Sequence, residues 1–150
     1  MNLALEKPTQ QSSQWSFSTN QLPADSSKAV DGCTETIFQE NCCTHTSGQA
    51  QPWLTVDLLV FYKVQLVKVL NRGICCGNDT YCLFKIIKKI LTPICQRFPG
   101  ERLSDFDVMV ASDVIDPTQS SDKQLCAHVE GPVANGVWVK TYCTPLISGR

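Results

Sequence analysis

No stretch of this chain approaches the roughly twenty consecutive apolar residues that a membrane-crossing helix requires, which argues against membrane insertion. An excess of charge of one sign is also missing. Lys and Arg number 13 against 14 Asp and Glu, for a net charge of −1. Such a surface has no field to draw it to nucleic acid or an acidic membrane, and no basic stripe is interleaved with aromatics. The opening Met1-Asn2-Leu3-Ala4-Leu5 has neither the basic start nor the long apolar core of a secretory leader. Histidine is scarce, with two in 150 residues. Cys42, Cys43 and His45 lie close together, but no second spaced couple accompanies them as zinc sites require. Asp105 and Asp107 share one face of a strand and mimic paired carboxylates, but no cleft signal goes with them, so they read as solvated strand positions rather than glycosidase groups. His128 reads as structural. The chain is expected not to be an enzyme.

What is present is cysteine. Nine in one small domain point to an oxidising compartment, hence to an expected piece of a secreted, extracellular protein whose leader is absent or was removed. The odd count leaves at least one thiol without an internal partner. Two cysteines are adjacent, in Asn71-Arg72-Gly73-Ile74-Cys75-Cys76. Bonded to each other they would close a tight ring and present a small apolar knob beside an arginine fork. That pair of features suits one face of a sugar ring, with the guanidinium donating to hydroxyl oxygens and the sulfurs against C–H groups. The residues alone equally allow Cys75 and Cys76 to go to separate partners or to stay as thiols.

The length suggests one domain, 1–150. Residues 1 to 30 are polar and broken by Pro8 and Pro23, which predicts an extended start and a long loop. Ala29-Val30-Asp31-Gly32 reads as a turn, and Cys33 to Ser47 as a loop. Trp53 to Leu59, Phe61 to Leu70, Phe106 to Val110 and, more weakly, Gly136 to Tyr142 alternate with period two and predict strands. Short strands joined by turn-rich loops suggest an all-β jelly-roll sandwich. One segment breaks this pattern. In Tyr81 to Leu91, Leu83, Ile86, Ile87, Ile90 and Leu91 recur at helical spacing, with Lys85, Lys88 and Lys89 opposite and Pro93 as a stop. An inserted short helix is expected there.

The chain resembles the F-type lectins, the fucose-binding fucolectins of fish and other animals. The residues that carry the likeness are Ser27-Lys28-Ala29-Val30-Asp31-Gly32, Cys43-Thr44-His45-Thr46, Pro52-Trp53-Leu54-Thr55-Val56-Asp57-Leu58, and Asn71-Arg72-Gly73 with Cys75-Cys76. The family's sugar motif is a histidine, an arginine, an acid two residues on, the cysteine pair, and a second basic residue three beyond it. Here Ile74 stands where the acid belongs, and Asp79 stands where the second basic residue is counted. If Gly77 to Pro99 is excised, Gly100-Glu101-Arg102-Leu103-Ser104 continues the motif and Arg102 takes the basic place. The resemblance therefore implies an insert at about 78–99, codable as a retained intron. It also implies that closing strands beyond Arg150 are missing, which predicts an open sheet edge and low stability.

The implied ligand is terminal L-fucose on glycans. The implied carbohydrate-binding residues are His45, Arg72, Arg102, Cys75 and Cys76, with Phe38 beside the sugar's methyl group and each basic residue donating. The implied disulfides are Cys75–Cys76, Cys126–Cys143 and Cys33–Cys42. A structural Ca2+ is implied at Asp31, with Lys28, Cys33, Cys42 and Cys43 as the remaining positions. Use in cell or microbe recognition and a trimer-like homo-oligomer for avidity follow from the family. The alternative reading is a discoidin-like adhesion or interaction domain that keeps the scaffold without sugar binding.

Overall fold

A computed structural model describes residues 1–15, 23–73, 83–84, 86–87, 91–93, 103–112, 116–117 and 119–149. Among these residues the strands are, in chain order, β1 (Thr9–Gln11), β2 (Thr44–His45), β3 (Leu54–Val56), β4 (Tyr62–Leu70), β5 (Leu83–Phe84), β6 (Ile86–Ile87), β7 (Leu91–Pro93), β8 (Ser104–Val110), β9 (Gln124–Pro132) and β10 (Trp138–Gly149). Short 3₁₀ turns at Ser26–Ala29 and Phe38–Glu40 are the helical elements among the described residues. The strands form a five-stranded sheet in the order β1-β3-β7-β8-β9, a three-stranded sheet β10-β4-β6 and a pair β2-β5. The pairings between strands are antiparallel.

Alternation explains the sandwich. On β8, Phe106, Val108 and Val110 are buried while Asp105 is exposed and Asp107 half-buried. These three pack with Leu54, Val56 and Leu58 from β3 and its exit, and with Val64, Val67 and Val69 from β4. Burial of each large apolar side chain here contributes about 1.5–3 kcal/mol. The disulfide Cys126–Cys143 ties β9 to β10 and so joins the two larger sheets. Among the described residues, no helix is long and apolar enough to cross a membrane.

The all-β class holds, and four strands predicted from alternation are present. The inserted helix is corrected. Within 81–91 the described residues Leu83–Phe84, Ile86–Ile87 and Leu91 are extended and lie in strands; the rest of that stretch is outside the described residues. Ile is β-branched and fits a pleated surface at least as well as a helix, so an apolar cluster of this composition is decided by the neighbours it can pair with. Here it finds β2, β4, β3 and β8. The segment Cys33 to Ser47 is not all loop, because Thr44–His45 pairs with β5. β9 was not predicted, although Leu125, Ala127, Val129 and Gly131 alternate with Gln124, Cys126, His128 and Glu130; it is the edge of its sheet and none of its residues is fully buried. β10 runs on past Tyr142 through Pro145, which an edge strand tolerates because one row of its N–H groups needs no partner.

Candidate carbohydrate site

β4 ends at Leu70, and the next three residues are fixed through their backbone. The Asn71 N–H donates to Val137 O at 3.0 Å, the Gly136 N–H to Arg72 O at 3.0 Å, and the Gly73 N–H to Thr36 O at 2.9 Å. The Asn71 side chain adds a bond from Nδ2 to Val133 O at 2.8 Å. Gly73 sits so close to Thr36 that an added Cβ would lie 2.8 Å from the Thr36 Cβ and overlap its hydroxyl. Only glycine lets the chain pass there, and that passage sets where Arg72 begins.

Arg72 is buried, with 6% exposure, and its guanidinium carbon lies 5.7 Å from the centre of the Phe38 ring. That is cation–π distance. Its Nη2 has no hydrogen-bond partner among the described residues. Phe38 opens the 3₁₀ turn Phe38–Glu40, and its ring meets the His45 ring edge to face at 5.9 Å. His45 is 2% exposed. Its Nδ1 lies 2.6 Å from Thr46 O. A carbonyl can only accept, so Nδ1 carries the proton and, in the neutral ring, Nε2 is an acceptor. Thr46 Oγ1, next in the chain, is also buried without a partner among the described residues.

Trp15 was not among the predicted site residues. Its indole stacks on the His45 imidazole with centroids 4.8 Å apart and 22° between planes, and it meets Phe38 edge-on at 5.8 Å. The backbone places it: the Trp15 N–H donates to His45 O at 3.0 Å, while the His45 N–H donates to Ala24 O at 3.1 Å. Gln11 of β1 ties β2 to the segment before the first 3₁₀ turn by donating from Nε2 to His45 O and Ala24 O. Trp15 lies in a run of Ser and Gln, where no periodicity marks it.

Of the expected site residues, the structure places Arg72 and His45 each against Phe38. Arg102, Cys75 and Cys76 lie outside the described residues, as do Ile74 and the Cys75–Cys76 bond. The other two predicted disulfides are present: Cys33–Cys42, with Cα atoms 5.7 Å apart, and Cys126–Cys143. Cys43 is buried beside Phe38, Ala24 and Trp15. For calcium, Asp31 is the one carboxylate in the predicted set, and its Oδ1 accepts the Cys33 N–H at 2.8 Å. The Cys42 sulfur is committed to its disulfide. The two Asp31 carboxylate oxygens and the main-chain carbonyls of Lys28, Cys33, Cys42 and Cys43 make at most six oxygens, the lower end of the six to eight calcium takes. No group of three or more His, Cys, Asp or Glu that could hold a metal occurs among the described residues.

Comparison with known proteins agrees with this geometry. The family described as NedA-like, galactose-binding domain matches residues 28–84. A fucolectin of Anguilla anguilla is 47% identical over 55 residues, which is 37% of this chain and 35% of that protein. Fucolectin-6 of Anguilla japonica is 52% identical over 52 residues, 35% of this chain and 28% of that protein. The chain thus matches about a third of the length of these curated relatives. In fold, an F-lectin (fucolectin) from Morone saxatilis (striped bass) serum superposes with a TM-score of 0.72 at 23% identity, covering 99% of this chain and 41% of that one. A Streptococcus pneumoniae fucose binding module superposes with a TM-score of 0.64 at 26% identity, covering 100% and 79%.

Proposed function

We propose that this chain, which resembles the fucolectins in sequence over about a third of its length and the F-type lectins in fold throughout, is a non-catalytic module binding terminal L-fucose on glycans. The observation that carries the reading is the buried, unpartnered Nη2 of Arg72, whose guanidinium lies against Phe38, the ring that His45 and Trp15 also meet. A sugar hydroxyl oxygen that accepts from Arg72 completes this arrangement. A hydrogen bond to a charged donor contributes about 1.5–3 kcal/mol, and here it also relieves a donor otherwise left unpaired. Phe38 and Trp15 supply apolar surface for the C–H side and methyl group of a 6-deoxy sugar. Arg102 and the Cys75–Cys76 knob belong to the same proposal on the strength of the motif.

One such site binds weakly, so use on a cell surface calls for several sites presented together, in a homo-oligomer or on a longer chain. The two disulfides suit an oxidising, extracellular setting. A role in recognising cells or microbes rests on the family. The near-complete burial of His45 and Arg72 favours, as a second reading, a discoidin-like interaction domain whose sugar site is closed.

Retention on fucose-agarose with elution by free L-fucose tests the first reading. Arg72→Ala is expected to lose about tenfold or more in affinity, the equivalent of one charged hydrogen bond. A folded parent protein that passes through unretained supports the second reading.

A further inference from the structure

The outer face of the β10-β4-β6 sheet carries charge of one sign. On β4, Val64, Val67 and Val69 lie in the core, so Lys63 and Lys68 beside them turn to the opposite face. On β10, Val139 packs against the core and Thr141 is buried, so Lys140 and Tyr142 turn outward too. In the register of the two strands Lys140 stands opposite Lys68, Tyr142 opposite Leu66 and Ser148 opposite Lys63. The strands β4, β6 and β10 contain no Asp or Glu. Among the described residues, no hydrogen bond or ion pair reaches the three ammonium groups. Like charges directly opposite each other, with Cβ atoms about 4.5–5.5 Å apart, repel and destabilise the pair. An anion between Lys68 and Lys140 removes that repulsion. Tyr142 is 59% exposed, and it lies between this pair and Lys63, which is about 17 Å further along β4. Lys68 and Lys140 come from distant parts of the chain, so strand pairing alone brings them and the aromatic ring together.

We propose that this face is a second binding surface, for a sulfated polysaccharide laid along β4. One sulfate sits between Lys68 and Lys140 and another at Lys63, and the C–H face of the sugar between them rests on Tyr142. An acidic membrane fits less well. The net charge of −1 gives no long-range attraction to a charged plane, whereas a linear polyanion meets this one face alone. The surface uses none of the residues assigned to fucose and goes beyond that reading.

Isothermal titration with a heparin hexasaccharide tests it. The parent is expected to bind, with affinity falling several-fold as NaCl rises from about 0.05 to 0.3 M and unaffected by L-fucose. The double variant Lys68→Gln, Lys140→Gln is expected to bind at least tenfold more weakly and to behave as the parent does on fucose-agarose. Without ligand it is expected to melt about 1–3 °C higher than the parent, because the repulsion is gone. If the double variant does not fold, Lys140→Gln alone, at an exposed position, is expected to lose at least threefold in affinity. No binding by the parent, equal binding by a folded variant, or equal affinity for an unsulfated hexasaccharide overturns the surface. Tighter binding to vesicles of acidic phospholipid overturns its assignment to a glycan. If the hexasaccharide binds the parent and not the variant while neither is retained on fucose-agarose, this surface stands and the fucose reading fails. Retention of both with no hexasaccharide binding gives the reverse.

Discussion

Arg72 is pinned more tightly than its role as a long, flexible side chain would suggest. Its carbonyl is held by Gly136, and its neighbours by Val137 and Thr36. Gly73→Ala should therefore act through Arg72. The added methyl collides with Thr36, an overpacking cost of about 1–3 kcal/mol, and displaces the guanidinium. Both a lower urea midpoint and weaker fucose binding are expected, whereas a loss of stability without loss of binding would separate the glycine from the site. Trp15→Ala removes the ring stacked on His45. An aromatic contact of this kind contributes about 0.5–1.5 kcal/mol, so isothermal titration should show a two- to tenfold loss of affinity, partly restored by Trp15→Phe. At this scale the sequence was legible where chemistry is concentrated. His45 and Arg72 stand at motif spacing and meet around Phe38. Trp15 was not legible, because a backbone bond to His45 O puts it there and nothing in its own neighbourhood does. The bond that holds the His45 ring was equally hidden, since Nδ1 donates to the carbonyl of the following residue.

Among the elements, β8 and β9 carry a cross-strand pair that sequence reading left unassigned. The His128 Nδ1–H donates to Asp107 Oδ1 at 2.8 Å. The residues face each other in the register of the two strands. The bond to Asp107 is the main cause that holds the His128 pKa above its ordinary value. Desolvation opposes it, and the charges of Asp107, Glu130 and Asp105 reinforce it. Protonation therefore favours the folded state. The contribution is complete below the unfolded histidine value of about 6.5 and fades as pH rises through the higher folded value. The pair is exposed, so the effect is small. The melting temperature of the parent should exceed that of His128→Gln more at about pH 5.5 than at about pH 8.5, and a difference that grows with pH would contradict the assignment. The signal for β8 lay in its own alternation, Phe106, Val108 and Val110 against Asp105 and Asp107. β9 alternates more weakly, with small residues at Ala127 and Gly131 and only partial burial at Cys126 and Val129, and its place is set by pairing with β8. The stretch read as helical failed for a different reason. Its period was measured correctly, but a few apolar residues cannot say whether a strand is waiting to pair with them.

For the whole molecule, the sandwich could be read from four alternating runs, but the position of the anomalous segment could not. Leu91 of β7 pairs with Leu54 of β3 on one side and Val108 of β8 on the other. The five-stranded sheet is continuous through it. Neighbouring strands lie about 4.8 Å apart, so removing β7 leaves β3 and β8 about 10 Å apart unless they slide together. β7 is thus a member of the sheet although it falls in the stretch that the resemblance sets off as an insert. Excising Gly77 to Pro99 so that Cys76 joins Gly100 gives Arg102 the spacing that the resemblance implies, and it removes β5, β6 and β7 together. Loss of β7 breaks the sheet between its N-terminal and C-terminal strands. The excised protein should therefore unfold at a lower urea midpoint and over a broader range than the parent. An equal or higher midpoint with an unchanged slope would show that β3 and β8 pair directly and that the segment is an appendage to a sheet complete without it.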